Sequence, residues 1–258
     1  MIPDAYITHW SHGAPWPSGD QVEQDLVLSR LLCEIASHPI LGDELAFRGG
    51  TCLHKVHLPH TLRYSEDLDY VRVTHGPIGP LLDALRDIAE TVGMEAATDV
   101  SQFPKFFFRS TYASGAGRLQ VKVEINTYET SPARPHIRLP HHVKSPWWSG
   151  SAEVLTFQPA ELIATKLRAL YQRRKGRDLF DLWLALTQMK LEPDEILACL
   201  GPYRPDGYTT ATAVANLEEH VADPGFRTDL LQLMGDEVGF DVDEAAALVI
   251  ESLLQRLP

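Results

Sequence analysis

The sequence predicts an α+β protein, with a mixed sheet in its first half and an α-helical domain in its second. Three observations carry this. Alternating and short apolar runs, rich in β-branched and aromatic residues, fall between Leu45 and Thr127. From Pro159 onward apolar residues recur at three and four instead. Between these regimes lies Pro132 to Gly150, with four prolines, three histidines and Trp147-Trp148, which reads as a long connection. The expected domains are therefore residues 1–152 and 153–258.

Element by element, the opening Met1 to Ser18 holds Trp10, Pro15, Trp16 and Pro17 without period and reads as an extended lead-in. Val22, Leu26, Ser29, Leu32, Cys33 and Ala36 then describe an amphipathic helix, capped by Asp20 and ending near His38-Pro39. Leu45 to Lys55 reads as strand, tight Gly49-Gly50 turn and helix. Tyr64 to Val73 alternates and reads as a strand, and Leu81 to Val92 as a helix. Lys105 to Tyr112 and Leu119 to Thr127 are two more strands, joined by a turn at Ser114-Gly115-Ala116-Gly117. In the second half, Glu161 to Arg174, Asp178 to Met189, Pro193 to Leu200, Ala211 to Ala222 and Asp241 to Arg256 read as helices.

Composition narrows the function. With 44% hydrophobic residues the 258-residue chain can build a packed core. No apolar run approaches the roughly 18 to 20 residues of a spanning helix, and the first Lys or Arg is Arg30, so no membrane role and a cytoplasmic setting are expected. Cys33, Cys52 and Cys199 are too few and too distant for a disulfide framework or a zinc knuckle. His136, His141 and His142 lack the spacing of a structural zinc site. A net charge of −12 argues against a broad nucleic-acid-coating face. The one local basic cluster is Lys166, Arg168, Arg173, Arg174, Lys175 and Arg177, which is either a polyanion track or a solvated helix surface.

The chemistry concentrates at Asp67 and Asp69. At i and i+2 on a strand they point to one face, and two like charges there repel unless a cation sits between them. Hard ions such as Mg²⁺ take carboxylate oxygens and keep positions for substrate phosphates. The bland alternative is a solvated strand edge. Upstream, Gly49-Gly50-Thr51 opens a helix, where backbone N–H groups meet phosphates readily, although an ordinary tight turn has the same letters. Glu124 shares a strand face with Lys122 and Asn126; were that strand beside the Asp67 strand, Glu124 would complete a three-carboxylate site, and otherwise it faces solvent. Lys166 lies beside Leu162, Ile163 and Leu170 on an apolar stripe, so it either snorkels or meets a buried anion. Gly176 is expected to end that helix, after which Asp178 and Asp181 share one face of the next.

In order, these features are Gly-Gly-Thr, Arg63-Tyr64-Ser65-Glu66-Asp67-Leu68-Asp69, a strand carboxylate, Lys166-Leu167-Arg168-Ala169 and Arg177-Asp178-Leu179-Phe180-Asp181-Leu182-Trp183. Together they resemble the AbiEii/AbiGii toxin family of nucleotidyltransferases, in the polymerase-beta-like superfamily, over about residues 20 to 190. Two departures are a Thr for the family's Ser at position 51, which keeps the hydroxyl, and a longer Thr51 to Asp67 spacing. The resemblance implies that Asp67 and Asp69 bind the metal, Mg²⁺ or Mn²⁺, and that Gly50 and Thr51 hold the triphosphate of an NTP; Glu124 is then the candidate third ligand, Gly49 belongs to the same phosphate turn, and Ser65, two residues before Asp67, points to the same face. It further implies that Lys166, with Asp181 or Asp178, completes the site from the helical domain. The implied reaction transfers NMP to an RNA acceptor, foremost the tRNA 3′ end, in a toxin whose antitoxin is encoded nearby. A transferase acting on a small molecule or a protein hydroxyl, and a non-catalytic nucleotide-binding regulator, remain alternatives.

Overall fold

The computed structural model describes residues 2–58, 60–115, 117–231, 233–234 and 239–257. The chain divides into two compact units, residues 1–131 with 136–157, and residues 132–135 with 158–258. Residue 152, where the sequence places the boundary, lies inside a strand of the first unit.

The first unit contains α1 (Asp4–Ser11), α2 (Gly19–Ser37), α3 (Leu41–Glu44), β1 (Leu45–Arg48), α4 (Gly49–Cys52), β2 (Asp67–Arg72), α5 (Gly79–Val92), β3 (Glu95–Asp99), β4 (Lys105–Thr111), β5 (Arg118–Asn126), β6 (Ile137–Lys144) and β7 (Ser149–Thr156). Helix α4 runs on into a π turn at Leu53–His57. The seven strands form one sheet in the order β3-β4-β5-β2-β1-β7-β6. Pairs β2·β5 and β1·β7 are parallel and the rest antiparallel, so the sheet is mixed as expected. Leu68 and Tyr70 of β2 and Val121, Val123 and Ile125 of β5 are buried in its core, while Asp67, Asp69, Lys122 and Glu124 at alternate positions stay half-exposed. Helix α2 packs on β7, β5 and β6, and α5 on β3 and β4.

Several expectations need correction. The lead-in is not extended throughout, since Asp4–Ser11 is helical and Trp10 Nε1 donates to Asp25 of α2 at 2.8 Å. The cap of α2 is Ser18, not Asp20: Ser18 and Gln21 form a reciprocal capping box, which satisfies two orphan donors. The Pro-rich connection is largely the β6–β7 hairpin. Pro140 tolerates a strand there because β6 is the sheet's edge and needs no N–H at that side. Strand β3, the other edge, is mostly exposed and so carries no alternating signal. In the expected turn at 114–117, Ala116 lies outside the described residues; Tyr112 N donates to Gly117 O across it. Met1 likewise lies outside them.

The second unit contains α6 (Pro159–Gln172), α7 (Gly176–Thr187), α8 (Pro193–Ala198), α9 (Thr210–Val221), α10 (Pro224–Thr228) and α11 (Val242–Ser252). Gly176 opens α7 rather than closing α6, and a Cβ there would stand 2.3 Å from the Phe226 carbonyl oxygen. Residues 132–135 belong to this unit because the fully buried Glu161 holds them. Its carboxylate accepts from Ala133 N at 2.6 Å, Arg134 N at 3.0 Å and Tyr203 Oη at 2.6 Å. Cys33, Cys52 and Cys199 are buried thiols outside any disulfide. Among the described residues no helix is long and apolar enough to cross a membrane.

Candidate active site

The sheet brings together residues that are distant in sequence. In the parallel β2·β5 pair, Asp67 registers with Lys122 and Asp69 with Glu124. In-register neighbours share a face, so Asp67, Asp69, Lys122 and Glu124 form one polar patch on the half-exposed side. On the other side of β2, Asp69 registers with Arg48 of β1, whose guanidinium pairs with Glu129. Lys122 is the member that sequence reading gave no role. Its Nζ stands 3.0 Å from Asp67 Oδ2 and 3.5 Å from Glu124 Oε2, so an ammonium already sits between two carboxylates. Its place two residues before Glu124 was the available signal. Among the described residues no three His, Cys, Asp or Glu side chains form a ready-made metal cluster.

Electrostatics marks the same place. Burial, reinforced by Asp69 and Glu66, holds the Asp67 carboxyl above the ordinary aspartate value despite the counter-pull of Lys122. For Lys122, burial acts downward, but Asp67, then Glu124 and Asp69, outweigh it and hold the ammonium above the usual lysine value. A concentration of negative charge in a half-buried face is where a cation is stabilised.

The glycine turn is built around Asp69. Gly49 has φ +82°, a left-handed conformation that L side chains rarely adopt. A Cβ there would stand 2.5 Å from Asp69 Oδ2, so only glycine lets the turn lie against that carboxylate. At Gly50 a Cβ would stand 2.2 Å from Arg63 Nη2, which places a buried guanidinium against the turn. Arg63 is a second residue without a role in the sequence reading, although it begins the Asp67 motif. Thr51 is buried; its hydroxyl donates to the Asp67 carbonyl at 2.5 Å and stands 2.7 Å from Ser65 Oγ. Gly49, Thr51, Ser65, Asp67 and Asp69 thus meet in one neighbourhood.

In the helical unit, Lys166 meets a buried anion rather than snorkelling. Its Nζ lies 2.7 Å from Asp181 Oδ2 and 3.4 Å from Asp178 Oδ1, with all three side chains at most 4% exposed. Arg173 grips Asp178 with both arms, at 2.7 and 2.8 Å. Two cations and two anions therefore neutralise one another, as burial requires. Most of the basic cluster is thus paired within the unit. Beyond Lys166 and Arg173, Arg174 pairs with Glu219 and Asp223, Lys175 with Asp229, and Arg168 stacks 5.5 Å from the Tyr203 ring centroid. Trp147 and Trp148 lie 5.2 and 5.6 Å from the Arg30 guanidinium of α2, inside the first unit.

The family model that matches most of the chain makes it a nucleotidyltransferase by class. The chain belongs to the AbiEii family: the family model "Nucleotidyl transferase AbiEii toxin, Type IV TA system" matches residues 30–251. It is thus a nucleotidyltransferase toxin of a type IV toxin–antitoxin system. Two solved structures share its fold. MenT4, a nucleotidyltransferase toxin from Mycobacterium tuberculosis, is 18% identical with a TM-score of 0.51, covering 96% of this chain and 99% of that one. JHP933 from Helicobacter pylori is 17% identical with a TM-score of 0.51, covering 93% and 92%. No curated protein matches the chain.

Proposed function

We propose that this toxin is metal-dependent and transfers NMP from an NTP to an RNA acceptor, with the tRNA 3′ end as the leading target. The observation that carries the metal reading is the register of Asp69 with Glu124 beside Asp67, on the face where Lys122 already sits as a cation between carboxylates. The donor set fits Mg²⁺ or Mn²⁺, because such ions use one or two carboxylates plus substrate phosphates and waters rather than an all-protein cage. Asp67 and Asp69 are the proposed ligands, with Glu124 joining once Lys122 withdraws. A bound ion there would neutralise triphosphate charge and lower the pKa of the attacking hydroxyl.

Gly49 and Gly50 let backbone N–H groups approach the triphosphate, and Arg63 adds positive charge beneath them. Thr51 offers its backbone N–H while its hydroxyl braces the start of β2, and Ser65 steadies that hydroxyl. In the helical unit Lys166 is proposed to carry phosphate charge, positioned by Asp181 and Asp178.

For the acceptor, support comes from membership of a toxin family and from the surface pairs of Arg174 and Lys175. Exposed ion pairs are worth only about 0–1 kcal/mol, so a phosphate chain displaces their carboxylates at little cost. The antitoxin implied by the family is proposed to be encoded beside this gene. Incubation with Mg²⁺, total RNA and each α-labelled NTP tests the function. Label in tRNA supports it, label in a small molecule or in protein transfers it to another acceptor class, and no label with any NTP favours a non-catalytic regulator.

A further inference from the structure

The first unit holds a concavity of about 580 Å³ that shares no lining residue with the carboxylate face. It lies among α1, the π turn, Ser29 of α2 and the edge strand β6. Its volume is within the roughly 300–1,000 Å³ range of small-ligand sites. Its cationic side chains are Lys144 and Lys55, the latter paired with the buried Asp25 behind the wall. In a protein of net charge −12, the described lining residues include Lys55, Lys144 and four histidines, and no Asp or Glu.

The wall is built rather than incidental. Asp25, 1% exposed, lies 2.6 Å from Lys55 Nζ and accepts from Trp10 Nε1 at 2.8 Å. That fixes the indole by its polar edge and leaves its ring as a lining surface, with Lys55 Nζ 5.8 Å from the centroid. His141 is 7% exposed, and its Nε2 has no hydrogen-bond partner. Burial, then the charge of Lys55, pushes that imidazole down to about 4 against the upward pull of hydrogen bonding to the Lys55 and Ser29 backbones, so it stays neutral near pH 7. Outside it, His142 and Lys144 are exposed on β6.

We propose that this cavity seats one nucleotide of the acceptor RNA strand, its base against Trp10 and its phosphates toward Lys144 and His142. An aromatic plane flanked by cations is how single strands are held without sequence readout, and a neutral buried imidazole suits a base edge or a 2′-hydroxyl. The inference rests on the RNA reading proposed above.

The test measures fluorescence anisotropy of a labelled single-stranded oligoribonucleotide on the full chain at several salt concentrations. It is repeated for the His142→Glu/Lys144→Glu variant and for Trp10→Phe, with thermal melts to confirm folding. The charge variant is expected to bind at least tenfold more weakly, with a salt slope shallower by about 0.7 for each lost phosphate contact. Trp10→Phe should weaken binding less, and NTP binding should be unchanged in both. Wild-type affinity and slope in the charge variant would overturn the cavity assignment while leaving an RNA acceptor intact, provided that wild-type protein labels RNA. Absence of both RNA binding and RNA labelling in the wild type would overturn both. Inorganic polyphosphate bound as tightly, and lost in the same variant, would overturn the nucleotide assignment in favour of a bare anion site.

Discussion

Gly49→Ala isolates the contact between the turn and Asp69. Two costs are separable in the structure. At φ +82° an alanine is strained by about 1–2 kcal/mol. Its Cβ would also stand 2.5 Å from Asp69 Oδ2, and Asp69 cannot retreat as a whole, because its backbone is paired with Arg48 on one side and Glu124 on the other. The carboxylate must therefore rotate, and a misplacement of about 1 Å in a reacting site costs about 100-fold. For a chain of this size, a loss of about 1–3 kcal/mol lowers Tm by roughly 2–12 °C. Gly93→Ala provides the control, since Gly93 has φ +72° with nothing within 4 Å of a built Cβ. It should lose a similar strain energy and keep full transfer. The assay is transfer from an α-labelled NTP with Mg²⁺, alongside thermal melts. Full transfer by Gly49→Ala, or equal loss in Gly93→Ala, would refute the assignment of the turn to the site.

Other predictions follow from the buried charges. Lys166→Met leaves Asp181 uncompensated and should cost about 3–5 kcal/mol in denaturant unfolding. Lys166→Met/Asp181→Leu should recover part of that, and no loss in the single variant would contradict the ion pair. Burial pushes His57 and His141 each down to about 4. The unfolded chain, with ordinary imidazoles near 6.5, then binds more protons than the native chain between pH 6.5 and about 4. Their contribution is full above pH 6.5 and is lost as pH falls through that window, so a His57→Gln/His141→Gln variant should show a shallower fall in stability than wild type over the same range. An identical pH profile would show that these imidazoles are charged or solvated. Arg174→Ala/Lys175→Ala should weaken RNA binding and flatten its salt dependence without much change in Tm, because the pairs removed are exposed; unchanged RNA binding would make those cations surface pairs only.

Local pattern made much of this molecule legible. The alternation through Asp67-Leu68-Asp69-Tyr70 and through Val121 to Ile125 assigns faces directly, because the strand period is two. What alternation cannot show is which strands are neighbours. That β5 lies beside β2, with Asp69 opposite Glu124, depends on the whole sheet order. The edges were the least visible. Pro140 in β6 and the exposed Glu95–Asp99 of β3 carry none of the apolar rhythm that a central strand must have. Lys122 and Glu161 were hidden for another reason. Their neighbours in sequence reveal nothing about partners such as Asp67, Tyr203 and the Ala133 backbone, which only folding brings within reach.

Asp67 and Asp69 are proposed to hold the ion on which transfer depends. Asp67→Ala and Asp69→Ala, assayed with saturating Mg²⁺, RNA and the preferred α-labelled NTP, test it most directly when Mn²⁺ binding is measured on the same samples. Each variant is expected to melt near wild type, lose Mn²⁺ binding and give no labelled RNA. Full transfer in either variant, or unchanged Mn²⁺ affinity in both, would contradict it.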